Sequence, residues 1–170
     1  MTRRPLDHDP ADWIGHAYDR HAAGLYRYAV MLLGDTASAA DAVHQVFLTL
    51  VRLGRNTAGV DQDDRYLRRA VRNECFSALR RRRREPAVAA GDRPLIEAVD
   101  QASGDPELCA AIDEALRVLP PEQREVVHLK VFEGMTFREI AALAGESINT
   151  IAARYRYAID KLRAQLQARK

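Results

Sequence analysis

Residues 136–162 read TFREIAALAGESINTIAARYRYAIDKL, and this stretch decides the fold. Thr136 followed three positions later by Glu139 is a capping box, which opens a helix. Gly145 suits a tight turn, and Ser147 can cap a second, longer helix. A short helix, a turn with glycine and a longer basic helix are typical of a helix-turn-helix. The alternative is an ordinary pair of antiparallel helices with a solvated polar face.

The second helix of this segment is the candidate for reading DNA. Ile151, Tyr155 and Ala158 recur at helical spacing and predict its inward face. Six basic residues fall at or after position 154, where the one acidic residue is Asp160. An α-helix fits the major groove, so the polar face is predicted to meet DNA. The residues predicted towards the bases are Asn149, Ala152, Ala153, Arg156 and Tyr157, and those that could meet phosphates are Thr150, Arg154 and Lys161. Ser147, the predicted cap, completes the candidate DNA-binding set of this segment.

A second basic region ends in five consecutive arginines at 80–84. At 100° per residue, five arginines of this helix fall within about a third of its circumference: Arg65, Arg69, Arg72, Arg80 and Arg83. Such a stripe repels itself unless anions lie against it, which favours a phosphate backbone as partner. The alternative is a solvated helix end whose cations favour the dipole. Tyr66 stands beside the stripe and could stack on a base, whereas Phe76 is predicted to be core.

The rest of the sequence predicts an all-α protein. Apolar residues make up 47% of the chain, and runs of β-branched residues are missing. Residues 86–106 contain prolines, glycines and acids, so they read as a flexible linker between two small helical domains. The predicted divisions are a disordered N-terminus at 1–10, a first domain at 11–85, the linker, and a second domain with the helix-turn-helix at 107–170. Separate apolar stripes predict two separate cores.

Helical periodicity assigns the inward faces of five further helices. The first is predicted to end at Gly34, and Asp35 offers a cap for the next. The inward residues of the second and third helices are Val43, Val46, Phe47, Leu50, Leu67, Val71, Ala78 and Leu79. The inward residues of the fourth and fifth helices are Leu108, Ile112, Ala115, Leu116, Leu119, Val126, Val127, Leu129 and Val131. Pro121 is predicted to lie in the first turn of the fifth helix.

Several function classes are excluded by what the sequence lacks. No run of 18 uncharged apolar residues could span a membrane, and no secretory signal follows Met1, so a cytoplasmic location is expected. Cys75 and Cys109 are expected to be reduced, although they could pair. The five histidines form no i, i+4 pair, and no Cys-x-x-Cys or GxGxxG occurs. We therefore expect no metal site, cofactor or catalytic activity.

The motifs together resemble the extracytoplasmic-function sigma factors of bacteria. YDRHAAGLYRYAVMLLGD, DAVHQVF and YLRRAVRN, followed by the arginines, resemble their first conserved domain. LPPEQREVVHLKVFEGMTFREIAALAG and NTIAARYRYAIDKLR resemble their second. The resemblance covers about residues 11–84 and 107–165. It implies a protein that binds core RNA polymerase, through the clamp of the largest subunit and the flap, and directs it to promoter DNA.

The resemblance also implies roles for particular residues. The expected clamp face is Asp41, Gln45, Leu48 and Arg52, and the loop Arg55–Asp64 is expected to capture a flipped base of the −10 element. The expected −10 and backbone contacts are Arg65, Tyr66, Arg69, Arg72, Asn73, Arg80, Arg83 and Arg84. Lys130, Ala152, Ala153, Arg156 and Tyr157 match positions that meet the −35 element. Members of the family are often controlled by an anti-sigma protein, a further candidate partner.

The chain departs from the family pattern at several of these positions. His44 and Gln45 stand where the family has glutamine and an acid, which alters the expected clamp contact. Tyr66 replaces a tryptophan, and Glu146 replaces an apolar residue. Ala152-Ala153 replaces a basic residue and serine, which should change −35 preference because small side chains contact thymine methyls. Two other readings stay open: a stand-alone helix-turn-helix regulator, and an interaction module that binds the polymerase or an anti-sigma factor without reading DNA.

Overall fold

The computed structural model describes residues 10–53, 63–84 and 106–168, and within these ranges the chain is helical, with turns between the helices. The helices are α1 (Pro10–Leu33), α2 (Thr36–Leu53), α3 (Asp63–Arg82), α4 (Pro106–Val118), α5 (Pro121–Val127), α6 (Phe137–Ala144) and α7 (Ile148–Gln167). A π-helical turn, His128–Phe132, continues α5. The all-α prediction is confirmed. Among the described helices, none has an apolar stretch long enough to cross a membrane.

Helices α1, α2 and α3 form the first unit. The predicted junction between α1 and α2 is confirmed, since Gly34 has a φ of 75° and the Asp35 carboxylate accepts a 2.8 Å hydrogen bond from the Ser38 amide. This φ suits glycine, and the carboxylate satisfies an amide that the first turn of α2 leaves free. The predicted inward face of α2 is buried, as are Leu67 and Val71 of α3. Cys75 is also buried, and it is a free thiol.

Helices α4 to α7 form the second unit, and two inward predictions fail there. Leu108, in the first turn of α4, is 53% exposed, and Val131 is 54% exposed. Val131 lies in the π-helical turn, where the Glu133 amide bonds to the His128 carbonyl at 3.3 Å and the Met135 amide to the Leu129 carbonyl at 3.0 Å. The wider turn changes the rotation per residue, so a prediction based on α-helical spacing misplaces Val131.

The predicted helix-turn-helix is confirmed in its local geometry. The Thr136 hydroxyl accepts from the Glu139 amide at 3.2 Å, and the Glu139 carboxylate accepts from the Thr136 amide at 2.7 Å. Gly145 ends α6 in the left-handed region with a φ of 71°. The Ser147 hydroxyl accepts from the Thr150 amide at 3.0 Å, so Ser147 caps α7.

The two units pack directly on each other, so the prediction of two separate cores is wrong for this arrangement. One buried cluster joins Leu25 and Leu67 of the first unit to Leu129, Ile140 and Ile151 of the second. A smaller cluster joins Met31 of α1 to residues of α4, α5 and α7, and its buried members are Met31, Leu116, Leu119, Val127 and Ala158. Apolar residues of each unit are therefore buried partly against the other unit. The predicted N-terminus, base-capturing loop and linker lie mostly or wholly outside the described residues, and the domain boundaries stay predictions.

Candidate functional site

Helix α7 presents the polar face that the sequence predicts. Ile151 and Ala158 are fully buried and hold the helix on its unit. On the other side, Tyr157 is 54% exposed, and the Arg156 guanidinium lies 5.4 Å from the centre of its ring. A cation stacked on an aromatic ring keeps its remaining donors free for a ligand. Asn149 and Lys161 are also exposed, and the small side chains of Ala152 and Ala153 are partly exposed between them.

Two of the cations predicted to meet DNA have partners within the second unit. The Arg154 guanidinium donates to the Glu146 carboxylate at 3.0 Å, and its side chain is 24% exposed. The Lys130 ammonium lies 5.3 Å from the centre of the Phe137 ring. An exposed ion pair is worth about 0–1 kcal/mol, so a DNA phosphate could replace Glu146 at small cost.

The run of five arginines divides into two sets. Arg81 pairs with Glu74 at 3.0 Å, and Arg82 donates to the Leu33 carbonyl at 3.2 Å and also contacts Asp35 and Ser38. Although burial opposes it, hydrogen bonds from the Ser38 amide and from Arg82 hold the pKa of Asp35 below its ordinary value. The other three arginines are exposed at the end of α3, and they are Arg80, Arg83 and Arg84. Arg82 thus fastens α3 to α1 and α2, Arg81 pairs within α3, and the other three arginines face solvent.

Most of the predicted stripe on α3 is accessible, and Arg72 is the exception. Arg65, Tyr66, Arg69 and Asn73 are exposed. The Arg72 side chain is 13% exposed and donates to both carboxylate oxygens of Glu125, from Nε at 2.7 Å and from Nη2 at 3.1 Å. In this arrangement Arg72 is therefore not free to contact DNA, because a carboxylate of the second unit occupies its donors. The prediction that placed Arg72 with the exposed stripe is corrected on this point.

Glu125 is the centre of this buried contact. Its side chain is 1% exposed, and it also accepts a hydrogen bond from the hydroxyl of Tyr28, which is fully buried in α1. Burial, and then the Glu125 charge, raise the pKa of Tyr28 well above its ordinary value, so the phenol stays a donor. Burial lowers the pKa of Arg72, but Glu125 more than offsets this and the net shift is upward. A buried carboxylate is tolerable only with partners of this kind.

Further polar contacts cross the same interface. Arg68 pairs with Glu133, which also lies 3.1 Å from Nε2 of His128. Although burial opposes it, contacts with His128 and Arg68 lower the pKa of Glu133. Arg124 donates to the Leu32 carbonyl at 2.8 Å, and burial, followed by the charge of Arg117, lowers its pKa to about 10.

The sequence reasoning missed the acceptors Glu125 and Glu133. A signal for Glu125 was present, because it stands next to Val126 and four positions before Leu129, two residues that are predicted to point inward. A carboxylate at such a position predicts a buried cationic partner.

The predicted clamp face on α2 is accessible. Asp41, Gln45, Leu48 and Arg52 are all exposed, and Leu48 is 49% exposed although it is apolar. Asp41, Gln45 and Leu48 line an open groove of about 520 Å³ between α2 and α3. An exposed leucine flanked by polar residues at helical spacing is typical of a surface that receives a partner helix.

Within the described ranges, no group of three or more potential ligand side chains could hold a metal ion.

Comparisons with known proteins agree with this division into units. Residues 17–85 match the family model for sigma-70 region 2, and residues 109–162 match that for sigma-70 region 4. The extracytoplasmic-function RNA polymerase sigma factor SigL of Mycobacterium tuberculosis is 32% identical over 161 residues, covering 88% of this chain and 86% of that protein. The RNA polymerase sigma factor CarQ of Myxococcus xanthus is 31% identical over 153 residues, with the same coverages.

A solved structure shares the fold. It is the sigma factor RpoE of Bartonella quintana in complex with the anti-sigma factor NepR. The TM-score is 0.65 at 20% identity, and the match covers 94% of this chain and 98% of that one.

Proposed function

We propose, on the premise that this chain belongs to the extracytoplasmic-function sigma factors of the sigma-70 family, that it divides promoter recognition between its two helical units. Membership follows from the matched region 2 and region 4 and from relatives above 30% identity over most of their length. As a sigma factor, the chain binds core RNA polymerase and directs it to promoter DNA. The proposal concerns which residues carry out these tasks.

The −35 element is assigned to α7. The observation that supports this is the capped helix whose exposed face carries Arg156 and Tyr157 while its apolar face is buried. Arg156 can donate two parallel hydrogen bonds to guanine, and Ala152 and Ala153 leave room for thymine methyls. Arg154 and Lys161 contact phosphates and set the position of the helix without reading sequence.

The −10 element is assigned to α3 and its arginine-rich end. Tyr66, Asn73 and Arg80 contribute to an open groove of about 350 Å³ between α2 and α3, and this groove is the proposed place for an unpaired base. An aromatic ring can stack on any base, and the neighbouring arginines neutralise the strand. Arg83 and Arg84 extend the positive surface beyond the groove.

Polymerase binding is assigned to α2. Leu48 is the apolar anchor, and Asp41, Gln45 and Arg52 form the polar rim that fixes the orientation of the clamp helices. An anti-sigma protein, of the kind bound by the structural neighbour from Bartonella quintana, is a further proposed partner. The proposed location is the cytoplasm, and nucleotide addition is assigned to the polymerase and not to this chain.

The test is transcription with purified components. The full chain and core RNA polymerase should comigrate, and the mixture should give transcripts from a subset of promoter fragments in a genomic library. The stand-alone regulator is the competing function, and it predicts specific binding to duplex DNA without polymerase and no new transcripts. A chain that binds the polymerase and never supports a transcript would favour the interaction module instead.

A further inference from the structure

The contact between the two units has a consequence for the reach of the chain. The −10 and −35 elements lie about 25 base pairs apart, which is about 85 Å of duplex at about 3.4 Å per base pair. A compact chain of 170 residues has a radius of gyration of about 15–16 Å, so it is about 40 Å across. The packed arrangement therefore cannot contact both elements. The 21 residues from 85 to 105 could span at most about 70–75 Å, enough for separated units to reach both.

The same contact covers part of the proposed DNA surface. Arg72 lies on α3 between Arg69 and Asn73, but its donors are held by Glu125 and by the Ala144 carbonyl at 3.5 Å. The turn after α6 comes close as well, because a Cβ built on Gly145 would lie 3.9 Å from Nη2 of Arg69. The second unit thus covers the stripe at Arg72 and approaches it at Arg69, and the Glu125 carboxylate occupies donors of Arg72 that a phosphate could otherwise use.

We infer that Glu125 is an intramolecular competitor of promoter DNA, holding the free chain in a closed form until the units separate. This inference rests on the proposed function of α3. Tyr28 and Arg72 hold the carboxylate from the first unit, so one buried group links the arrangement of the units to the availability of a DNA-binding arginine. When the units separate, Glu125 and Tyr28 gain water, and Arg72 becomes free for a phosphate of the −10 strand.

The experiment removes the charge and keeps the shape. Glu125→Gln leaves Arg72 without its anionic partner, and Glu122→Gln, on the same helix, is the control for the equal change in net charge. Binding of each full chain to an unpaired oligonucleotide with the −10 sequence is measured by fluorescence anisotropy without polymerase. Because only the open form offers Arg72 to the strand, apparent affinity rises with the population of that form. Glu125→Gln should bind about tenfold tighter than the parent or more, and Glu122→Gln within about twofold.

Small-angle X-ray scattering supplies a second measurement on the same proteins. Glu125→Gln should increase the radius of gyration, whereas Glu122→Gln should not. Tyr28→Phe removes only the hydroxyl from a fully buried ring, so it should raise DNA affinity and the radius of gyration as Glu125→Gln does, but by less. It replaces Glu125→Gln as the test variant if that chain fails to fold. Adding Arg72→Ala to Glu125→Gln should reverse the gain in affinity by about tenfold, since a charged hydrogen bond is lost.

Two results would overturn the inference about Glu125, and a third would overturn the proposed sigma-factor function on which it rests. Equal DNA binding by the Glu125→Gln and Glu122→Gln chains, or an unchanged radius of gyration in a folded Glu125→Gln chain, removes the competitor role. If transcripts still appear with core polymerase, the sigma assignment stands without it. If the parent chain gives no promoter-specific transcript with core polymerase, the proposed function itself fails, whatever the scattering shows.

Discussion

Leu48→Asp should weaken polymerase binding and leave the fold intact. Leu48 is 49% exposed on α2, so about half of its side chain is still available for burial by a partner. Burying a whole leucine side chain is worth about 1.5–3 kcal/mol, so the lost gain is about 0.8–1.5 kcal/mol. Bringing a carboxylate against an apolar surface adds about 1–3 kcal/mol. The sum of about 1.8–4.5 kcal/mol corresponds to a Kd about 20- to 2000-fold weaker.

The assay is titration of fluorescently labelled chain with core polymerase, with thermal unfolding of the same samples. Leu50→Ala is the matched control, because Leu50 is 2% exposed two positions away and its truncation should cost about 2–5 kcal/mol of stability. A Leu48→Asp chain that binds the polymerase as tightly as the parent would refute the assigned face. One that unfolds as Leu50→Ala does would show that Leu48 supports the core instead.

Three further predictions concern DNA and pH. Replacing Arg80, Arg83 and Arg84, which are exposed, by alanine should weaken the dependence of DNA affinity on salt. The slope of the log of the binding constant against log salt should fall by up to about 2.7 on duplex DNA, at about 0.9 per lost phosphate contact. An unchanged slope would mean that these arginines form a solvated helix end. Arg156→Ala should cost about 1–3 kcal/mol of DNA-binding free energy and relax the preference at one or two −35 base pairs. Arg154→Ala should instead weaken binding to all −35 variants alike. The reverse pattern would show that α7 is rotated about its axis relative to this assignment. Because the folded pKa of Glu133 is lowered, its stabilising contribution is complete above the ordinary glutamate value of about 4.3 and is lost as pH falls through the folded value. Thermal unfolding from pH 7 downwards should show this loss, and Glu133→Gln should show a smaller one.

Local signals in the sequence predicted most of the helices and their ends. Capping by Asp35, Thr136 and Ser147, and the turns at Gly34 and Gly145, depend on neighbours within a few residues, so short patterns suffice to predict them. The same holds for the inward face of α2 and for the outward Leu48.

Contacts between distant parts of the chain could not be predicted in the same way. Arg72 and Glu125 are 53 positions apart, and Tyr28 and Glu125 are 97 apart, so no periodicity relates them. The arginine stripe was read as uniformly exposed because like charges on one helix face suggest an external anion. The structure supplies an internal anion for one of the five. Val131 was misplaced for a different reason, since nothing in its neighbours signals the change from an α-helical to a π-helical turn.

The chemistry of the contact between the units favours separation over permanence. Apolar residues such as Met31 and Leu129 supply adhesion, which is proportional to buried area and does not depend on what else is present. Compared with an apolar contact of the same size, the Glu125–Arg72 pair supplies little net adhesion, because desolvating two charges costs about as much as their attraction returns. Removing Glu125 alone still favours opening, because it leaves the Arg72 charge buried without its partner. When the units separate, both charges regain water and Arg72 can gain a phosphate, so opening costs less in the presence of DNA than an apolar contact of the same size would. The Glu125–Arg72 pair therefore makes the strength of the contact between the units depend on whether a competing anion is present. Replacing both residues by apolar ones should remove that dependence and keep the units together.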